Sequence, residues 1–391
     1  MGIFSKTKEK DELVLVFDVG SSSVGGALFW MQQSGIPKIV FSVREPIVLE
    51  KKINIDRFLL FTTKSLNIVA SQIHQAGLGA PSKIFCVLSS PWYVSQTRVI
   101  SLEKNTPFVF TSKLADELIK KETSLFEDEY SAKYLHAGNS VRSIELKNIK
   151  TMLNGYETAK PLNQKTKQLE MTIFVSISPE QVLGKIEETI KKHFNFKQIK
   201  FSSFVLASFA VVRDMSMHQD NFLLIDIGGE VTDIAMVKKN ILRESISFPV
   251  GRNFMIRGAT SALDCTFAEA QSFISLFQNG HAADTTKKKL QPIIDKLKTE
   301  WLKKFQESLA NISNDVSIPA TIYMTVDPDL ADFFSQIIKN EQLNQYTLTD
   351  SKFQVVFLNT AVFHGVATFE ENIIRDPFLI IDSIYINRFL K

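Results

Sequence analysis

The 391-residue sequence has only two cysteines, Cys86 in a strand-like run and Cys265 ahead of a helix-like one, and no CxxC pair. That excludes a disulfide framework and a cysteine zinc site, and it fits a reducing cytoplasm. The six histidines are scattered with no HExxH spacing, so no metal-ligating pattern stands out; His364, beside Gly365, reads as a packed helix residue. No GxxxxGK[ST] or GxSxG motif and no Cys-His arrangement occurs, which removes the common phosphate-loop and nucleophile signatures. No apolar run reaches the roughly 18 residues of a spanning helix. The opening MGIFSKTKEKDE lacks a signal core, and residues 1–11 read as a short frayed basic lead-in. Charge is nearly balanced, 45 Lys and Arg against 42 Asp and Glu. With no basic cluster among stacking aromatics, nucleic acid is not expected as a partner.

What is present is a folded chain, 45% apolar and 22% charged, long enough for roughly two to four packed units. Its most informative stretch is FLLIDIGGEVTDIAMV, Phe222 to Val237. Four apolar residues lead into Asp226, the pair Gly228-Gly229 follows, and an apolar run resumes at Ile234. This predicts a buried hairpin with a carboxylate at its bend. The stretch LVLVFDVGSSSVGGALFW, Leu13 to Trp30, repeats the pattern, with Asp18 and Gly20 placed as Asp226 and Gly228 are. Each copy continues into a third strand, IPKIVFSV and NILRESISFPV, so the repeated unit has three strands. Two such units predict two similar lobes facing a shared cleft. Each would offer an Asp and a row of turn amides, which with the hydroxyls of Ser21, Ser22 and Ser23 suit phosphate oxygens. Paired carboxylates at Asp18 and Asp226 would hold Mg²⁺ through its waters, since Mg²⁺ dehydrates reluctantly.

Other segments follow from helical periodicity. Ile55 to Gln75 is expected to bury Phe58, Leu59, Leu66, Val69 and Ile73, and to stop at Gly77 and Gly79. A capped helix from Thr111 is expected to turn Leu114, Leu118 and Leu125 to one side. A strand, this helix, and two strands flanking the Asn154-Gly155 turn form a compact unit over 83–175. Helices are expected at 178–194, with Val182, Ile186, Ile190 and Phe194 inward, and at 287–312. The latter presents Leu290, Ile294, Leu297, Trp301, Phe305 and Leu309 on one face and a solvated lysine face opposite.

The paired DxG hairpins resemble the actin-like ATPase superfamily. The strand-helix-strand-strand insert is similar to that of its FtsA/PilM-type branch, the cell-division protein FtsA and the pilus-assembly protein PilM. The resemblance implies an α/β, actin-like (ribonuclease H-like) duplicated two-lobe fold. The first lobe would take 1–82 and 176–215, the insert 83–175, and the second lobe 216–391 with a helical subdomain at 239–318. It further implies ATP and Mg²⁺ between the lobes. The nucleotide would lie on Asp18, Gly20, Ser21, Ser22, Ser23, Asp226, Gly228, Gly229, Thr232 and Asp233, with the metal on Asp18 and Asp226 through water.

Two departures argue for slow ATP hydrolysis at most. The family's adenosine-side Gly-Gly is here Val326-Asp327-Pro328, whose side chains and fixed φ keep a ligand at a distance. The polar residue that orients water ahead of Ala207-Ser208 is replaced by Phe204 and Val205. Glu230, where many relatives have a small residue, would oppose a phosphate tail unless turned away. The implied function is a cytoplasmic scaffold at the inner face of the membrane, in cell division or type IV pilus assembly. Its partner would be a tubulin-like division protein or the tail of a pilus inner-membrane protein, with self-association conceivable and membrane contact indirect. The alternatives are a nucleotide-free pseudo-ATPase platform and a sugar-kinase-like enzyme. The apolar C-terminal stretch from Asp376 is expected to pack against the second lobe rather than to lie on a membrane, because its polar strip is narrow.

Overall fold

The structure, a computed structural model, describes residues 11–134, 140–278, 280–312, 317–340 and 352–390; all of the expected lead-in except Asp11 lies outside them. Strands β1 (Glu12–Val19), β2 (Ser23–Met31) and β3 (Lys38–Pro46) form an antiparallel meander, and β4 (Lys83–Leu88) and β9 (Ile199–Ser203) continue the sheet in parallel from β1. β10 (Phe222–Ile227), β11 (Thr232–Lys238) and β12 (Ile241–Phe248) repeat the meander, with β13 (Thr321–Val326) and β14 (Gln354–Phe357) parallel beyond β10. The two sheets share one strand order, so the duplication read from two hairpins extends to five strands. β1 is almost wholly apolar because strands flank it on both sides and helices cover the sheet's faces.

A third sheet of β5 (Val94–Val109), β8 (Lys165–Pro179), β6 (Val141–Leu153) and β7 (Tyr156–Glu157), carrying helix α2 (Ser112–Tyr134), touches the first lobe through β6 and the second through β5. Asn154 and Gly155 both have positive φ, as the tight β6–β7 turn requires. The expected boundary at 83 needs correction. Lys83–Leu88 pairs with β1 and belongs to the first lobe, and the insert begins at β5. Within α2, Leu114 and Leu118 pack on the insert's core, but Leu125 is exposed and Phe126 is buried in its place.

α1 (Ile55–Gln75), capped by Asn54, lies against β2 and β3; Gly26 leaves room for it, since a Cβ there would come 2.6 Å from Ile73 Cδ1 and 2.7 Å from Val69 Cγ1. α3 (Glu180–Lys191) packs on α1, and α4 (Phe204–Met215) connects the lobes. In the second lobe α5 (Arg252–Leu263), α6 (Phe267–Gln278) and α7 (Asp284–Ile312) form the helical subdomain. α7 buries the six apolar residues expected of it. A 3₁₀ turn at Pro328–Leu330 precedes α8 (Ala331–Asn340).

The C-terminal stretch departs from expectation. β15 (Thr368–Phe369) adds to the outer edge of β3, and α9 (Pro377–Phe389) packs on β1, β2 and α4, so the chain ends in the first lobe. Among its residues Leu379, Ile380, Ile381, Ile384 and Ile386 are buried on several sides. A helix enclosed between a sheet and α4 needs no broad polar face. His364 is exposed, in an isolated bridge to Ala367, and not packed in a helix.

Candidate functional site

The two turns after β1 and β10 have the same internal bond: the Gly20 amide donates to the Ser23 carbonyl at 3.1 Å, and the Gly228 amide to the Val231 carbonyl at 2.9 Å. They face each other across the lobes and are in contact. A Cβ on Gly229 would stand 2.5 Å from the Ser21 carbonyl oxygen and 2.7 Å from the Ser22 nitrogen, so only glycine allows this approach. The Glu230 amide donates to Ser21 Oγ at 3.1 Å. The sequence pattern thus brings Gly20, Ser21, Ser22 and Ser23 together with Gly228 and Gly229, but as a closed seam.

Strand register then decides what each carboxylate meets. Asp18 lies opposite Gly25, and Gly25 opposite Arg44. Because Gly25 has no side chain, Arg44 reaches over it: Nη2 donates to Asp18 Oδ2 at 2.6 Å and Nη1 to Ser23 Oγ at 2.9 Å. Arg44 also pairs with Asp376, the N-cap of α9. In the second lobe the corresponding row is Asp226, Asp233 and Ser247, with no cation in it. Asp226 accepts from Thr325 Oγ1 at 2.8 Å, and Asp233 accepts from Ser247 and, across the cleft, from Ser90 Oγ at 2.8 Å. Burial pushes the Asp226 carboxyl well above the usual carboxylate range, and the neighbouring Asp233 charge pushes it further. Burial also raises Asp18, with Arg44 acting against the rise.

Thr232, expected to close a phosphate turn, is buried; its hydroxyl donates to the Val250 carbonyl at 2.7 Å and accepts from Trp301 Nε1 at 3.1 Å. Glu230 is turned onto α5, accepting from Asn253 Nδ2 at 2.8 Å and from both terminal nitrogens of Arg257 at 2.7 Å. Arg257 Nε donates to the Glu50 carbonyl of the first lobe at 2.7 Å, so one side chain ties the lobes together. Arg252 pairs with Asp327 beyond β13. The roles of Arg44, Arg252 and Arg257 escaped the sequence because each partner is remote. For Arg257 a signal existed, since Asn253 and Arg257 are four residues apart and share a helix face.

The space between Tyr93, Phe204, Asp226, Asp233 and Thr325 is about 10 Å³, room for one water at most. Asp18 Oδ1 has no hydrogen-bond partner, and a dication there would face the Arg44 guanidinium. Among the described residues no group of three acidic, histidine or cysteine side chains is placed to hold a metal.

No protein-family model matches the sequence, nor does any curated protein. Among solved structures, the fold matches a "PilM-PilN type IV pilus biogenesis complex" with a TM-score of 0.60, at 10% identity over 96% of both chains. This chain has the actin-like fold. Weaker matches are the ethanolamine utilization protein EutJ from Carboxydothermus hydrogenoformans (TM-score 0.42, 10% identity, 98% of this chain and 92% of that one) and a Bacteroides thetaiotaomicron protein described as having an actin-like ATPase fold and unknown function (0.41, 9%, 91% and 95%). No helix among the described residues is long and apolar enough to cross a membrane.

Proposed function

We propose that the protein is an actin-like scaffold of type IV pilus assembly, working at the cytoplasmic face of the membrane and holding the tail of an inner-membrane pilus protein. The observation that carries this is a groove between two strand edges. β9 ends the first-lobe sheet, and β6 is covered by β7 only at Met152 and Leu153. Between them lies a space of about 320 Å³ lined by residues 142–147 of β6, Gln198, residues 199–202 of β9 and Leu390. Unpaired edges accept an extended peptide by strand addition, and Lys147 and Lys200 favour one with acidic side chains. The whole-chain likeness to a pilus biogenesis complex supports the same reading over the division one. ATP is no part of it.

Titrating a synthetic cytoplasmic tail of a pilus inner-membrane protein into the full chain by calorimetry tests this. Saturable binding should weaken at least tenfold in Lys147→Glu/Lys200→Glu. Absence of binding, or full retention in a folded double variant, contradicts it.

A further inference from the structure

We infer that the cleft between the lobes is latched by the protein's own side chains and takes no nucleotide. In the fold's two-hairpin arrangement the turns after β1 and β10 would cradle an anion between them. Here several of the groups that could do so already have partners within the chain. Ser21 Oγ accepts the Glu230 amide, Ser23 Oγ accepts from Arg44, and the Thr232 hydroxyl is turned into the second-lobe core. The N-terminus of α5, a natural phosphate site, is spent on the turn itself. The Arg252 amide donates to the Gly228 carbonyl at 2.9 Å and the Asn253 amide to the Gly229 carbonyl at 2.8 Å.

The charges are matched in the same way. Arg44 supplies the positive charge beside Asp18. Arg252 neutralises Asp327 on the far side of the crevice. Arg257 binds Glu230 through two nitrogens and the first lobe through the Glu50 carbonyl. Glu230 is the element that distinguishes this latch from a phosphate cradle: a carboxylate, fixed by Arg257 and Asn253, is built into the turn where a small residue would leave space for phosphate. The Ser90 to Asp233 bond and the Ser21 to Gly229 contact complete a seam that needs no ligand to close.

The test is nucleotide binding by the intact protein, followed by amide hydrogen exchange at residues 18–23 and 228–233. The unmodified chain should show no saturable binding of ATP or ADP up to about 1 mM with Mg²⁺, and the same slow exchange in both turns with and without ATP. In Arg257→Ala exchange should accelerate in both turns together by at least tenfold, because the interlobe tie to the Glu50 carbonyl has gone. Saturable micromolar binding by the unmodified chain overturns the inference, as does exchange in the turns that ATP slows. Tail binding at the β6–β9 groove is a separate measurement, so either proposal can fail alone.

Discussion

Tyr385 Oη donates to Glu145 Oε1 at 2.7 Å, joining the C-terminal helix to the insert across 240 residues of sequence. The other carboxylate oxygen accepts the Ser203 amide and hydroxyl, at 3.2 and 2.8 Å, where β9 enters α4. Three separate parts of the chain therefore meet on one buried carboxylate beneath the β6–β9 groove. Glu145→Ala leaves those donors buried and unpaired, and it should destabilise the protein by roughly 2–4 kcal/mol. Urea unfolding reads this directly, and a change below about 0.5 kcal/mol would show that the junction is not structural.

The position of α9 makes truncation informative. Leu379, Ile380, Ile381, Ile384, Tyr385 and Ile386 are all buried against the first lobe. At about 1.5–3 kcal/mol for each such side chain, their loss is on the order of the whole stability of a domain. A chain ending at Asp376 should lose its cooperative thermal transition. If it unfolds like the full chain and differs only in binding to anionic vesicles, α9 is a membrane anchor.

Asp382, on α9, is fully buried and neither carboxyl oxygen has a partner. Burial raises its pKa well above the ordinary value, and the Asp18 charge raises it further. The folded state therefore keeps a proton that the unfolded chain releases near pH 4. Stability contributed at Asp382 must fall as pH rises from about 4 toward the folded pKa. Asp18, Asp226, Asp233 and Glu145 are raised as well, so the test is a difference between proteins. Asp382→Asn should gain in melting temperature over the unmodified chain, and the gain should be larger at pH 8 than at pH 5. A constant difference between the two pH values would contradict the assignment.

Gly229 has no room for a side chain. In Gly229→Ala the methyl group would overlap the Ser21 backbone, and the seam should open at a cost of about 1–3 kcal/mol. Faster amide exchange in residues 18–23, on the opposite lobe, is the specific readout. Destabilisation without exchange changes in the first lobe would mean that the turns do not support each other.

The repeated hairpins were legible because a carboxylate and a glycine turn between two apolar runs can be seen locally, and the helix at 287–312 was legible because its apolar face keeps strict spacing. The start of the insert was not, because the apolar run at Lys83–Leu88 reads the same whether it pairs with β1 or with an insert strand. The destination of the C-terminal stretch was equally hidden, since an apolar helix does not reveal which sheet encloses it. At the site, the positions of Asp18 and Asp226 followed from the pattern, but their partners did not. Arg44 reaches Asp18 only because strand register places Gly25 between them, and its bond to Asp376 spans 332 residues.

The central claim, a partner-binding scaffold whose working surface is the groove between β6 and β9, is tested most directly by hydrogen exchange with and without the pilus-protein tail peptide. The amides of residues 141–148 and 198–203 should gain protection together on adding the peptide, whether or not ATP is present. Protection confined to the inter-lobe turns, or dependent on ATP, would contradict the account.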